Sequence, residues 1–297
     1  MSALKILVAG RSGQVAQSLL EAAEQWPDFE LTALGRPELD IADRASVDKA
    51  MTAVAPDLVI NAAAYTAVDK AEDEREAAFA GNETGARNLA EAAALAGIPL
   101  LHISTDYVFN GQGTEPYQET DPTAPLGVYG ESKLAGERAV ADANPKHLIL
   151  RTAWVYGVYG GNFLKTMLRV AGGRDALNVV ADQRGAPTSS HEIAETLLKA
   201  AAAIQSGNES WGTYHMAARG EAVWAEFAEA IFAASASHGG PTAQVNHIPS
   251  SEYPTPAARP AYSVLNSSKL KDAFGVELSN WREPVDAIVA RVLSQKG

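Results

Sequence analysis

The chain has 297 residues, of which 46% are hydrophobic and 20% charged, so it can fold around a sizeable core. Its formal net charge of −12 argues against nucleic acid and anionic membranes as partners. The absence of cysteine excludes disulfides, thiolate catalysis and cysteine–metal sites. No apolar run is long enough to cross a bilayer, and residues 1–5 lack the cationic flank of a signal peptide, so a cytoplasmic location is expected.

Strand-like and helix-like segments alternate through the first half of the chain. The predicted strands are apolar throughout and cover residues 4–9, 30–34, 58–60, 99–103 and 147–150. Helices are predicted over 14–25, from an N-cap at Asp43 to about Pro56, over 82–96 with Gly97 as its cap, and over 128–142. Apolar strands separated by helices imply a parallel sheet covered on both faces. The predicted fold is therefore α/β, with a doubly wound, Rossmann-like parallel sheet.

The regular alternation weakens after Arg151. Glycine pairs at 160–161, 172–173 and 239–240 separate shorter elements, and the segment 249–260 carries four prolines. We predict a cofactor-binding domain over residues 1–151. Residues 152–297 are expected to form mostly a smaller substrate-binding lobe, with some elements returning to the sheet.

The first predicted strand ends in a glycine turn that opens directly into a helix. Residues 10–16 read Gly-Arg-Ser-Gly-Gln-Val-Ala. Such a tight turn needs glycine at its first position, and the close approach of a pyrophosphate favours a second one at Gly13. The free N–H groups at the helix start attract phosphates. The pattern also fits an ordinary structural turn, but its context favours a dinucleotide site formed by Gly10, Ser12, Gly13, Gln14 and Val15.

The end of the second predicted strand bears on the choice of cofactor. A site for NAD usually places an acidic residue there, whereas residues 34–36 read Leu-Gly-Arg and the first acid is Glu38. Arg36, helped by Arg11, is expected to pair with the 2′-phosphate of NADPH. The alternative is that Arg36 is only a surface loop residue. We favour NADPH, with NADH as a possible substitute.

Tyr129 and Lys133 are four residues apart in a predicted helix and therefore share one face. A nearby ammonium lowers the pKa of a phenol, which makes tyrosine a usable acid at neutral pH. Ser104 and Thr105 end the fourth strand, where open α/β sheets place their ligands. The Tyr–Lys spacing alone also fits a packed tyrosine beside a solvated lysine. Together with the glycine turn and the strand-end hydroxyl, it predicts an active site.

These features resemble the extended short-chain dehydrogenase/reductase family, with its glycine turn and its set of Ser/Thr, Tyr and Lys. The resemblance is strongest to members that reduce 4-keto sugars carried on dTDP. Long segments across nearly the whole chain carry it: 61–72, 104–109, 128–137, 151–156, 182–188 and 254–260. It implies a nucleotide-sugar substrate, dTDP-4-dehydro-β-L-rhamnose, reduced by hydride from NADPH.

The resemblance also implies roles for individual residues. It implies a catalytic set of Thr105, Tyr129 and Lys133, with Tyr129 as the proton donor. Cofactor contacts are implied for Asp40, Ile41, Ala62, Ala63, Ala64, Tyr129 and Lys133. Substrate contacts are implied for Asp69, Thr105, Asp106, Tyr107, Trp154 and Arg259.

Some members of this family form dimers around magnesium held by glutamates. Here Ser18 stands at the first of those positions, residues 189–192 place no glutamate in register, and residues 291–297 contain no acid. We therefore predict no structural magnesium. The expected oligomeric state is a monomer or a homodimer.

Two alternatives remain open at this point. One is an epimerase or dehydratase that returns the hydride, and Asp106 beside Thr105 suits a dehydratase. The other is a regulatory subunit that binds the cofactor without catalysis, which the intact set of Thr105, Tyr129 and Lys133 disfavours. Net consumption of NADPH would separate both from a reductase.

Overall fold

The computed structural model describes residues 3–295. Residues 1–2 and 296–297 lie outside the described part. They include the outer ends of the two predicted domains, part of the chain start examined for a signal peptide, and part of the acid-free segment 291–297.

A six-stranded parallel sheet forms the centre of the molecule. The strands in chain order are β1 (Leu4–Ala9), β2 (Phe29–Leu34), β3 (Leu58–Asn61), β4 (Leu100–Thr105), β5 (His147–Thr152), β6 (Val155–Tyr156), β7 (Ala176–Val180), β8 (Arg184–Gly185), β9 (Thr188–Ser189), β10 (Gly212–His215), β11 (Ala222–Val223) and β12 (Gln244–Ile248). Six of them form the sheet in the spatial order β2-β1-β3-β4-β5-β10, with every pair parallel. The predicted doubly wound, Rossmann-like fold is confirmed.

Helices connect these strands and cover the sheet. They are α1 (Gln14–Ala22), α2 (Arg44–Val54), α3 (Val68–Ala71), α4 (Arg75–Phe79), α5 (Gly85–Leu95), α6 (Val128–Ala143), α7 (Phe163–Ala171), α8 (Ser190–Gln205), α9 (Trp224–Ser237), α10 (Ser268–Phe274) and α11 (Val285–Ser294). Asp43 caps α2 as predicted, since its carboxylate accepts a hydrogen bond from the N–H of Ala45 at 3.0 Å. Among residues 3–295, no helix is both long and apolar enough to cross a membrane.

The helix predicted over 82–96 is part of a longer helical segment. Helix α4 precedes it, a π-helical turn covers Ala80–Thr84, and α5 follows. Buried Asn82 in that turn binds the backbone of Tyr65 through its side-chain amide, at 2.8 and 3.0 Å. The same amide donates to the hydroxyl of Ser132 in α6 at 2.9 Å. These long-range contacts stabilise the wider π-helical turn. The helical periodicity of the sequence does not predict them.

Apolar side chains cover both faces of the sheet. Helices α1 and α8 pack together on one face, and α2 and α5 cover the other with α6. A further apolar cluster joins α7, α9 and α11 through residues such as Leu168, Phe227 and Val289. Strand β10 and helix α8 come from the second half of the chain and lie on the sheet. The division at residue 151 stays a prediction.

Candidate active site

A cavity of about 530 Å³ lies where the central strands end. Its wall contains residues that follow β1, β3, β4 and β5, on both sides of the point where the strand order reverses. Open α/β sheets bind their ligands at this point. The wall includes these predicted site residues: Ser12, Gly13, Gln14, Val15, Ala62, Ala63, Ala64, Thr105, Asp106, Tyr107, Tyr129, Lys133 and Trp154.

The glycine turn after β1 has two glycines with different requirements. Gly10 has φ +110°, and a Cβ there would lie 2.9 Å from the backbone nitrogen of Ala63, so the fold itself requires glycine. A Cβ at Gly13 would meet the carbonyl oxygen of Gly10 at 3.6 Å, an ordinary contact. Gly13 is also the N-cap of α1 and makes no side-chain cap. Space and free N–H groups at the start of α1 suit a pyrophosphate.

The three predicted catalytic residues all line the cavity. The Thr105 hydroxyl donates to Oδ1 of Asp106 at 3.0 Å and accepts from the N–H of Tyr107 at 3.2 Å. Lys133 is 2% exposed and donates from Nζ to the carbonyl of Ile103 at 2.7 Å. Tyr129 is partly exposed, and its ring meets that of Tyr107 edge-on at 5.5 Å. The fold thus assembles a phenol, an ammonium and a hydroxyl on one wall.

The pKa values of this group differ from the sequence-based expectation. Burial raises the pKa of Tyr129 to about 12, and the nearby Thr105 hydroxyl opposes that rise. Burial also lowers the pKa of Lys133 to about 8, against the charge of Glu137. The expected lowering of the Tyr129 pKa by Lys133 is not seen, because desolvation dominates. A phenol with a raised pKa keeps its proton at neutral pH, as a proton donor must.

Asp106 is a buried carboxyl in the wall of the cavity. It is 2% exposed, and within residues 3–295 its Oδ2 has no hydrogen-bond partner. Burial raises its pKa to about 6, although the nearby hydroxyls of Ser263 and Thr105 oppose the rise. A buried acceptor without a partner is costly to the fold, which is typical of a group that binds a ligand. Oδ2 suits a hydroxyl donor such as a sugar.

Asp106→Asn is expected to stabilise the protein at neutral pH. The folded-state pKa of about 6 exceeds the ordinary 3.8, so stability falls as the pH rises through this window and the penalty is complete above it. Asparagine removes the buried charge, for an expected gain of about 1–3 kcal/mol at pH ~7.5 and about half as much at pH ~5. Urea unfolding at the two pH values measures the difference. An asparagine variant that is no more stable than wild type at the higher pH would contradict the assignment.

Two predicted substrate residues bind each other at the edge of the site. Arg259 donates from Nη2 to Oδ2 of Asp69 at 2.9 Å and from Nη1 to the carbonyl of Ala257 at 3.0 Å. The N–H of Ala257 donates to Oδ1 of Asp69 at 3.3 Å. The hydrogen bond from Arg259 lowers the pKa of Asp69. This ion pair joins the proline-rich segment to α3, so contact of either side chain with a substrate remains a prediction.

Besides Gly10, three predicted cofactor residues lie outside the cavity wall. Arg36 is exposed on the loop after β2, while Arg11 forms an ion pair with Glu38 at 3.5 Å. The carboxylate of Asp40 accepts from the N–H of Ala42 at 3.0 Å. Ile41 is buried and packs against Gly85 of α5. Their contacts with a cofactor remain predictions.

Some wall residues were not singled out from the sequence. Thr152 ends β5 directly beside Thr105, and its buried hydroxyl has no partner among the described residues. The strand-end argument would have found it had the predicted strand extended beyond residue 150. The sequence pattern predicts that Gly160 and Gly161 only separate two elements, yet both line the cavity. The other additional wall residues are Thr66, Val68, Ile103 and Val155.

The region implied for magnesium offers a poor set of ligands. The hydroxyls of Ser18 and Ser190 hydrogen-bond each other at 2.9 Å. Arg291 donates from Nη2 to Oε1 of Glu21 at 2.6 Å. Within residues 3–295, no group of three or more His, Asp or Glu side chains is arranged to hold a metal ion. Arg291 lines the same cavity as Ser18, Glu21 and Glu192, and its guanidinium opposes a divalent cation, but the absence of structural magnesium stays a prediction.

Comparison with known proteins gives full-length matches. The family model described as "RmlD substrate binding domain" matches residues 4–294. The dTDP-4-dehydrorhamnose reductase of Sinorhizobium fredii is 48% identical over 292 residues, covering 98% of each chain. The crystal structure of a dTDP-4-dehydrorhamnose reductase from Clostridium acetobutylicum is 37% identical with a TM-score of 0.91, covering 98% of this chain and 100% of that one. The Bacillus anthracis enzyme, crystallised with NADP, is 36% identical with a TM-score of 0.89, covering 96% and 98%.

Proposed function

Since the chain belongs to the RmlD substrate binding domain family, we propose that it reduces dTDP-4-dehydro-β-L-rhamnose to dTDP-L-rhamnose with NADPH. The observation that carries the proposal is the placement of Thr105, Tyr129 and Lys133 on the wall of the cavity that also contains the glycine turn. Relatives that match nearly the whole chain bear the name of this reductase.

The cavity offers the groups that a dinucleotide needs. The turn from Gly10 to Val15 and the start of α1 would hold the pyrophosphate, and Ala62, Ala63 and Ala64 would run along the cofactor. When bound, NADPH supplies the hydride that reduces the keto carbon. Lys133, held by Ile103, would donate a hydrogen bond to a ribose hydroxyl. The substrate side would be formed by Asp69, Thr105, Asp106, Tyr107, Trp154 and Arg259.

The residues of the chain handle the proton and the developing charge. On substrate binding, the Thr105 hydroxyl would turn from Asp106 to donate its hydrogen bond to the keto oxygen and so hold that oxygen in place. Tyr129 keeps its proton on Oη at neutral pH and gives it to that oxygen as the alkoxide forms, so negative charge does not accumulate unpaired. Asp106 accepts a hydrogen bond from a sugar hydroxyl through Oδ2. These contacts orient the sugar so that one face of its keto carbon is presented for reduction.

The proposed reaction is tested by following NADPH absorbance with dTDP-4-dehydrorhamnose generated in the cuvette by the upstream enzymes. Oxidation in a one-to-one ratio, with dTDP-L-rhamnose as the product, is expected. An epimerase, a dehydratase or a regulatory subunit would cause no net oxidation of NADPH. Absence of oxidation despite measured NADPH binding would therefore overturn the proposal.

The preference for NADPH is expected to depend on Arg36. Arg36→Ala should raise KM for NADPH about three- to tenfold, because one charge-assisted contact to the 2′-phosphate is lost. KM for NADH should stay unchanged, since NADH lacks that phosphate. Arg138→Ala, which removes another exposed arginine, on α6, is the matched control. An equal rise in KM for NADPH and for NADH would show that Arg36 does not bind the 2′-phosphate.

The remaining features of the proposal concern location and assembly. The substrate and NADPH are both highly charged nucleotides that do not cross membranes unaided, which favours action in the cytoplasm where they are made. We propose a monomer, or a homodimer that does not depend on magnesium. Sedimentation with and without a chelator distinguishes these states from a metal-linked dimer.

A further inference from the structure

Trp154, in the wall of the cavity, has an unusual backbone conformation. Its φ is +47°, in the left-handed region that bulky residues rarely adopt. Strained backbone of this kind persists only where surrounding contacts determine it, and it concentrates at functional sites. The contacts that hold Trp154 therefore bear on what the site binds.

Two residues fix the indole of Trp154. Gly185 packs so closely against the ring that a Cβ at this position would overlap it. Trp224, the first residue of α9, stacks on Trp154 with ring centroids 3.5 Å apart and an angle of 3° between the planes. Such a direct face-to-face arrangement is not the one that aromatic pairs prefer by themselves, so the surrounding packing imposes it.

The partners of Trp154 are themselves anchored. Strand β11, directly before Trp224, pairs with β8, which contains Gly185. Glu226 accepts a hydrogen bond from the N–H of Val223 at 3.0 Å and so fixes the start of α9. Trp224 also packs on Phe163 of α7, with centroids 4.7 Å apart. The stack therefore connects the apolar core of α7, α9 and α11 to the cavity wall.

We propose that Trp224 is a positioning residue that determines sugar affinity, by holding the Trp154 indole as a fixed flat wall for the apolar face of a 6-deoxysugar. This inference rests on the proposed function, because it assigns a sugar to the side of the cavity that Trp154 lines. A flat aromatic surface suits the C–H face and methyl group of a deoxysugar. A ring held in place before binding loses little freedom on binding, which favours affinity.

The test compares substitutions at Trp224 in the full-length enzyme. Trp224→Leu keeps an apolar side chain in the core but removes the flat ring, whereas Trp224→Phe keeps an aromatic ring. We expect Trp224→Leu to raise KM for dTDP-4-dehydrorhamnose about three- to tenfold and to leave KM for NADPH within about twofold. Trp224→Phe should restore most of the sugar affinity. The control is Trp26→Phe, because Trp26 stacks on Phe29 and does not line the cavity.

Circular dichroism gives a second readout that does not depend on turnover. An exciton couplet from the stacked indoles, where the wild-type spectrum shows one, should be lost in both Trp224 variants and kept in Trp26→Phe. A sugar KM unchanged in Trp224→Leu, or KM values for sugar and NADPH that rise equally, would overturn the inference. Wild-type enzyme that binds NADPH but does not reduce the sugar would refute the proposed function and this inference with it. If the wild type is active and Trp224→Leu leaves KM for the sugar unchanged, only the inference is refuted.

Discussion

Tyr129→Phe is expected to lower kcat about 10²–10⁴-fold, while Kd for NADPH stays within about twofold. The substitution removes only the hydroxyl that gives its proton to the alkoxide. Since burial raises the pKa of this phenol to about 12, it holds its proton at neutral pH. Stopped-flow measurement of NADPH oxidation, with NADPH binding followed by fluorescence, separates the two effects.

Tyr159→Phe is the matched control for this experiment. Its hydroxyl bonds Glu21 at 3.1 Å and lies outside the wall of the active-site cavity. The control should retain wild-type kcat. If Tyr129→Phe lost NADPH binding and turnover together, or kept most of its turnover, Tyr129 would not be the proton donor.

Glu137→Ala is expected to destabilise the folded protein by about 3–5 kcal/mol. Glu137 and Arg151 are 4% and 5% exposed and form two hydrogen bonds, at 2.9 and 2.7 Å. The guanidinium also lies over the ring of Phe109, 5.1 Å from its centroid. Removing the carboxylate leaves a buried positive charge without a counter-charge. Urea unfolding at pH ~7.5 measures the loss.

Two comparisons make this prediction specific. Glu221→Ala breaks an exposed ion pair with Arg184 and should change stability by less than about 1 kcal/mol. The double variant Glu137→Met with Arg151→Met removes both charges and should recover most of the loss, since no unpaired charge remains. A single-variant loss of less than about 1 kcal/mol, or no recovery in the double variant, would argue against a coupled buried pair.

The same ion pair also affects the active site. Glu137 is one helical turn from Lys133, and its charge raises the lysine pKa against the larger effect of burial. Arg151 pairs in register with Ser104, next to the end of β4. The loss of Glu137 is therefore expected to act on the chemistry as well as on folding.

The features of this protein that depend on local patterns can be predicted from the amino-acid sequence. Apolar runs specify strands β1 to β5, and a tight turn directly after a strand requires Gly10, whose φ is +110°. Spacing alone places Tyr129 and Lys133 on one face of α6. Strand ends of a parallel sheet lie on one edge, which brings Thr105 to the same cavity.

Which distant residues meet, and how much water reaches them, depends on the folded structure and cannot be predicted from local patterns. The π-helical turn at Ala80–Thr84, the Asp69–Arg259 ion pair and the stack of Trp154 on Trp224 each depend on partners far apart in the chain. For the same reason, the Tyr129 pKa is raised, whereas the sequence predicts that Lys133 lowers it. Spacing indicates which charge is near, but desolvation depends on the packing of the whole site, and here its effect is larger.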